Sequence, residues 1–198
     1  MRLKSAFVIS VFLVQFCQYA DAGVIPFELR NNPAVEAADE VASFKLSVSG
    51  IEATLSANIG VLNQSSDGFG VNAPGSGDPT SRLDGVNGTE SISVMFDQDV
   101  FFESLTLAVY SPGETASLTI GSASPIQLDP VPADPDLYLF SANNFVAAGQ
   151  SVVLTHGSGN GFSFDAFSVS SPVPEPSSAL IFLGAVGLAA TKRRRRVR

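Results

Sequence analysis

Through most of the interior of this chain, apolar residues recur at every second position. Ser43-Phe44-Lys45-Leu46-Ser47-Val48 puts Phe44, Leu46 and Val48 on one face, and a Ser49-Gly50 turn leads into Ile51 to Ala57. Ser91 to Phe96 aligns Ile92, Val94 and Phe96, and Leu105 to Tyr110 aligns Leu105, Leu107 and Val109. Ser117 to Ile120, Leu137 to Phe140, Ser151 to Thr155 and Phe162 to Val169 continue the series. A period of two rich in β-branched and aromatic residues is the mark of half-buried strands. Clusters of Gly, Pro, Asn, Asp and Ser separate the runs, and such residues make turns. The pattern predicts an all-β fold of about eight or nine short strands, an antiparallel β-sandwich of jelly-roll type. Strands do not alternate with helices, so a parallel sheet is not expected. Pro33 to Val41 is the one helical candidate in this region, and Gln64 to Gly88 reads as an extended loop at one end of the sandwich. Loops of that length are functional or mobile.

The last run carries a further expectation. Phe162 and Phe164 share one parity, whereas Phe167 and Val169 share the other. Large apolar residues stay on one face of a half-buried strand, so a β-bulge is predicted near Asp165-Ala166.

The two ends depart from this pattern. Arg2 and Lys4 precede an apolar stretch from Ala6 to Phe16, and Ala20-Asp21-Ala22 is a small-x-small cleavage site, with the cut between Ala22 and Gly23. Residues 1–22 therefore read as a signal peptide, its h-region too short for a membrane span. Signal peptidase and the Sec export machinery are the implied partners. Cys17 lacks the small preceding residues of a lipid-attachment site, and its removal leaves no cysteine for a disulfide, a thiolate metal site or a nucleophile. Residues 23–171 then form a β-sandwich domain of about 150 residues, enough for a real core.

At the other end stands Pro174-Glu175-Pro176, followed by the apolar run Ala179-Leu180-Ile181-Phe182-Leu183-Gly184-Ala185-Val186-Gly187-Leu188-Ala189-Ala190 and the basic block Lys192-Arg193-Arg194-Arg195-Arg196. As a transmembrane helix the apolar run is about 18 Å long at 1.5 Å per residue, against a hydrocarbon core of about 30 Å. Arginines that snorkel to the headgroups offset part of the mismatch, and by the positive-inside preference the basic block stays cytoplasmic. A short anchor held by charge suits a temporary stop in the inner membrane. These three parts, in this order, resemble a PEP-CTERM protein-sorting domain, and residues 172–198 are assigned to it. The resemblance implies recognition by an exosortase, an integral-membrane cysteine-type transpeptidase, removal of the tail, and delivery to the cell surface, the outer envelope or the medium. It also implies a Gram-negative-type bacterium with exopolysaccharide and biofilm loci. Residues 65–72, 82–100 and 161–169 resemble, more loosely, phrases in the bodies of other such substrates.

Charge is segregated along the chain. Between Val24 and Ser171 three bases stand against seventeen acids, a balance of −14. That field repels phosphate backbones, so nucleic acid is excluded as a partner. It suits solubility outside the cytoplasm and tolerates divalent cations. Asp67, Asn72, Asp78, Asp84, Asn87 and Glu90 could offer oxygen ligands to Ca²⁺, although they do not follow the EF-hand spacing and Asp, Asn and Gly favour turns without any ion.

Catalytic signals are sparse. His156 is the only histidine, so no histidine metal cluster is available, and no Gly-x-Ser-x-Gly elbow accompanies it. Strand-end packing or a turn hydrogen bond is the expected role. Asp97 and Asp99 flank one residue before Val100-Phe101-Phe102, where a tight turn is the plain account and a glycosidase pair the sharper one. The chain has no Trp to grip a sugar ring, which leaves Tyr110 and Tyr138 as platforms. The expectation is a non-enzymatic structural, adhesive or glycan-binding surface protein, with exopolysaccharide as a candidate partner. A secreted polysaccharide hydrolase and a permanently anchored surface protein are the alternatives.

Overall fold

The computed structural model describes residues 23–30, 32–35, 38–131 and 135–172. The signal segment with its Ala22 cleavage residue, the Pro174-Glu175-Pro176 motif, the apolar run and the basic block lie outside the described residues. Gly23 to Ser171 is a compact unit.

The described residues are all β. The strands are β1 Ile25–Glu28, β2 Ser43–Val48, β3 Ile51–Ala57, β4 Val61–Ser65, β5 Gly68–Asn72, β6 Ser91–Phe96 and β7 Val100–Ala108, followed by β8 Thr115–Ile120, β9 Ile126–Leu128, β10 Asp136–Leu139, β11 Phe145–Val146, β12 Ser151–Ser158 and β13 Ser163–Ser170. They form two antiparallel sheets. One runs β10-β7-β13-β5-β4, with β1 added to β13 and β11 to β7; the other runs β2-β3-β6-β12-β8-β9. The pairs β2–β3, β4–β5 and β8–β9 are hairpins within one sheet, whereas β6 to β7 and β12 to β13 pass from one sheet to the other.

Two sequence expectations change. Pro33 to Val41 holds no helix among its described residues; it makes turns and ends in a bridge from Val41 to Leu62. The bridge commits the end of the segment to extended pairing instead of a helical ladder. The interval from Gln64 onward is also not one loop, because β4 and β5 pair through Asn72. The irregular stretch is therefore residues 73–90.

A bulge in β13 organises the core. Against β7, Phe164 faces Leu107 and Ala166 faces Thr106, so Asp165 has no counterpart. The extra residue resets the side-chain alternation, and Phe164 and Phe167 are both buried with ring centroids 5.7 Å apart. A second shift, between Ser168 and Val169, leaves Glu103 of β7 unmatched, so each strand carries one extra residue. The Asp165 bulge also divides the far edge of β13: β5 meets it at Phe164, and β1 pairs with residues 166–169.

Phe167 joins the two sheets. Its ring stacks on Phe27 at 4.6 Å and on Phe102 at 6.0 Å, and meets Phe96 of the opposite sheet edge-on at 6.0 Å. Phe27 reaches the same Phe96 edge-on at 6.5 Å, and Phe44 of β2 reaches Phe69 of β5 at 6.2 Å. Burying each such ring contributes about 1.5–3 kcal/mol, and each aromatic pair adds about 0.5–1.5 kcal/mol.

Phe167→Ala is expected to destabilise the protein by about 3–5 kcal/mol, the usual cost of deleting a buried ring. Leu139→Ala, at a residue 76 % exposed, should change stability by less than about 0.5 kcal/mol. Urea unfolding of the full-length chain in mild detergent compares the two. Equal effects would show that Phe167 does not join the sheets.

Candidate functional site

Between β5 and β6, residues 73–90 fold back over the end of the sandwich and are fastened there by backbone. Val71 N–H donates to Arg82 O at 2.9 Å, and Leu83 and Phe162 exchange two bonds at 2.7 and 3.2 Å. The Ser163 hydroxyl donates to Ser81 O at 2.7 Å. Leu83 itself is fully buried in the core. Two glycines permit this approach. A Cβ on Gly70 would lie 2.2 Å from Arg82 N, and one on Gly161, whose φ is +91°, would lie 2.6 Å from Leu83 O. A side chain at either point would push the loop off its seat. At the end of the loop Asn58 holds both sides of the β6 entry, donating to Thr89 O at 2.9 Å and accepting from Ser91 N–H at 2.7 Å.

This fastening brings three carboxylates together. One oxygen from each of Asp78, Asp84 and Glu90 lies within 4.8 Å of the others. Asp84 is 1 % exposed and Glu90 0 %. Each carboxylate is held from behind by a main-chain donor. Ala73 N–H donates to Asp78 Oδ2 at 2.9 Å, Val86 N–H to Asp84 Oδ1 at 2.7 Å, and Asp84 N–H to Glu90 Oε2 at 2.7 Å. Asn87 Nδ2 adds a longer contact to Asp78 Oδ1 at 3.3 Å. Asp84 Oδ2 and Glu90 Oε1 are buried and accept no hydrogen bond from the described residues.

Such crowding acts on ionisation. Burial pushes Glu90 up from 4.5 to about 8, the nearby charges of Asp84 and Asp78 push the same way, and the amides of Asp84 and Ala73 oppose the rise. Chemically, the trio is a set of fixed, hard oxygen donors of the kind that hold divalent cations.

Of the six oxygen-bearing residues expected from sequence, Asp78, Asp84 and Glu90 meet, and Asn87 touches the trio through Asp78. Asp67 sits in the β4–β5 turn, where its N–H donates to Ser65 Oγ at 3.2 Å. Asn72 ends β5 opposite Val61. His156 lies in β12, its N–H donating to Glu90 O at 3.0 Å, with its buried ring 6.2 Å from that of Phe162. It therefore supports the trio from below, a relation that sequence distance hides. The ring also lines an open depression of about 530 Å³ with Arg82, Asp84 and Gly85. Asp97 and Asp99 each cap a neighbouring segment, accepting from Glu52 N–H at 3.0 Å and Ala148 N–H at 2.8 Å. Tyr110 is buried and donates to Leu128 O at 2.6 Å, so it presents no open face to a sugar.

A carboxyl whose folded-state pKa is raised binds a proton that the unfolded chain has already released. The contribution of Glu90 is fully favourable below about pH 4.5, declines as pH rises, and is lost above about pH 8. Chelator-treated protein should thus lose stability relative to Glu90→Gln from pH 5 to pH 8, by up to about 1.4 kcal/mol per pH unit. Glu90→Gln should flatten the pH dependence by that contribution and melt higher than wild type at pH 8. Thermal melts of both proteins across the range test this, and identical slopes would show that Glu90 ionises normally.

Comparison with curated proteins and with solved structures returns no match for the chain. A family model does match at the end of the chain, over residues 172–196, and it describes the PEP-CTERM protein-sorting motif. The proline-glutamate-proline triplet, the apolar run and the basic block all fall within that span, so the chain carries a PEP-CTERM protein-sorting motif over residues 172–196.

Proposed function

We propose that this is an exported protein sorted by an exosortase to the cell surface or the extracellular matrix, where its jelly-roll-like β-sandwich acts as a non-enzymatic structural, adhesive or glycan-binding module. The sorting motif at residues 172–196, immediately after the last strand, carries the reading. An N-terminal export signal, a passing stay in the inner membrane and an exopolysaccharide partner belong to the same proposal.

Two features of the body support binding over cleavage. Leu137 and Leu139 of β10 and Phe145 of β11 are exposed along one edge of the first sheet, where both strands pair with β7. Contiguous exposed apolar groups on a sheet edge mark interaction surfaces. Cleavage of a glycosidic bond needs two carboxyl groups that flank it. Glu90 is enclosed, and the exposed Asp97 and Asp99 are each held by a main-chain N–H, from Glu52 and Ala148, which favours a turn role for them.

Mass spectrometry of protein recovered from its native cells tests the sorting reading. The expected chain ends near Pro174 to Ser178. Protein that keeps Arg198 and fractionates with the inner membrane would overturn it in favour of a permanent anchor. The binding reading has its own measurement: retention on the matrix polysaccharide of the same cells, expected to fall at least about tenfold in a Leu137→Ser, Leu139→Ser double variant, by analogy with the loss at hot-spot residues. Unchanged retention would remove this edge from the proposal.

A further inference from the structure

We propose that Asp78, Asp84 and Glu90 bind a single Ca²⁺ ion that clasps residues 73–90 to the end of the sandwich. The site stands on the geometry of the loop and does not depend on where the protein is delivered.

The first ground is distance. Donor oxygens within 4.8 Å of one another can share one ion at Ca–O bonds of about 2.3–2.6 Å. Mg²⁺ demands a near-ideal octahedron and gives up its waters reluctantly, so a site of three protein carboxylates suits it less well. The second ground is the pair of oxygens left over. Asp84 Oδ2 and Glu90 Oε1 are buried and have no partner among the described residues, and a buried polar atom without a partner is costly. The opposite oxygens of the same carboxylates accept main-chain N–H bonds of 2.7 Å. That arrangement fixes each carboxylate and keeps one oxygen for another use, as outer partners do around metal ligands.

The third ground is the donor set. Hard carboxylate oxygens alone select Ca²⁺ over metals that favour thiolate or imidazole. The open depression bordered by Asp84, Gly85 and Val86 gives the ion and its waters a path in. Because the three ligands come from the middle and both sides of the Leu83 bridge, an ion would tie the loop to itself and, through Glu90 O and His156 N–H, to β12.

The test is titration of the full-length chain, stripped with chelator and held in mild detergent, with CaCl₂ and separately with MgCl₂. One Ca²⁺ per chain is expected, with a Kd of about 10⁻⁴–10⁻³ M or tighter, as in extracellular modules. Mg²⁺ should bind at least about tenfold more weakly. Melting temperature should rise with CaCl₂, and amide exchange in residues 73–90 should slow. Asp84→Asn and Glu90→Gln should each weaken binding at least about tenfold, while Asp67→Asn should leave it unchanged. Absence of saturable heat and of any thermal shift at about 10 mM CaCl₂, ten times the weak end of that range, would overturn the proposal. So would equal affinity for Mg²⁺, or equal loss in Asp67→Asn.

Discussion

A strand alternates its side chains between two faces, and β13 interrupts that rhythm once, at Asp165. Without the interruption Phe164 and Phe167 would point in opposite directions and one would face solvent. With it, Phe167 stacks between Phe27 and Phe102 and meets Phe96 of the other sheet. The insertion also sets where the neighbours attach, because β5 takes the stretch before it and β1 the stretch after it. Asp165 is itself tethered: its carbonyl accepts Leu29 N–H at 3.0 Å and its carboxylate lies 3.8 Å from Arg30. Most of the first sheet is thus arranged around one surplus residue.

The loop at residues 73–90 obeys a different constraint. Acidic groups are ordinarily kept in water, since an ionised carboxylate loses a large hydration energy on burial. Here Leu83 is drawn into the core and pulls Asp84 down with it, while the Asn58 contacts bring Glu90 in from the other side. Apolar anchoring and main-chain donors hold together charges that repel one another. The result is a site organised in advance of any ligand, at the expense of the charged state of Glu90.

Much of this architecture could be read from the residues alone. β2 and β3 alternate without exception and β6 with the single outward exception of Met95, and their limits match the observed ones. The bulge was visible because four large apolar residues changed parity within one run. The β4–β5 hairpin was hidden because Asn63, Gln64, Gly68 and Gly70 dilute Leu62, Phe69 and Val71, and its polar, glycine-rich text looks like loop. β1, β9 and β11 are too short to show a period. β7 begins five residues earlier than its alternation suggests, because the unmatched Glu103 breaks the pattern just after Phe102. At the site, sequence could supply the oxygen-bearing residues but not the choice among them. That choice depends on Leu83 meeting Phe162, a bridge between residues far apart in the chain.

The unmatched Glu103 of β7 has a mechanical consequence. It offsets the surplus of Asp165, so the two strands leave the sheet in step, and Ser170 still lies beside Phe101 with its hydroxyl donating to Glu103 at 2.5 Å. The sorting tail continues directly from that end. A load applied along β13 falls on an interior strand, gripped by β7 on one edge and by β5 and β1 on the other. In that direction the rungs of the ladder share the load and must fail together, whereas a tail leaving from an edge hairpin would unzip them in turn.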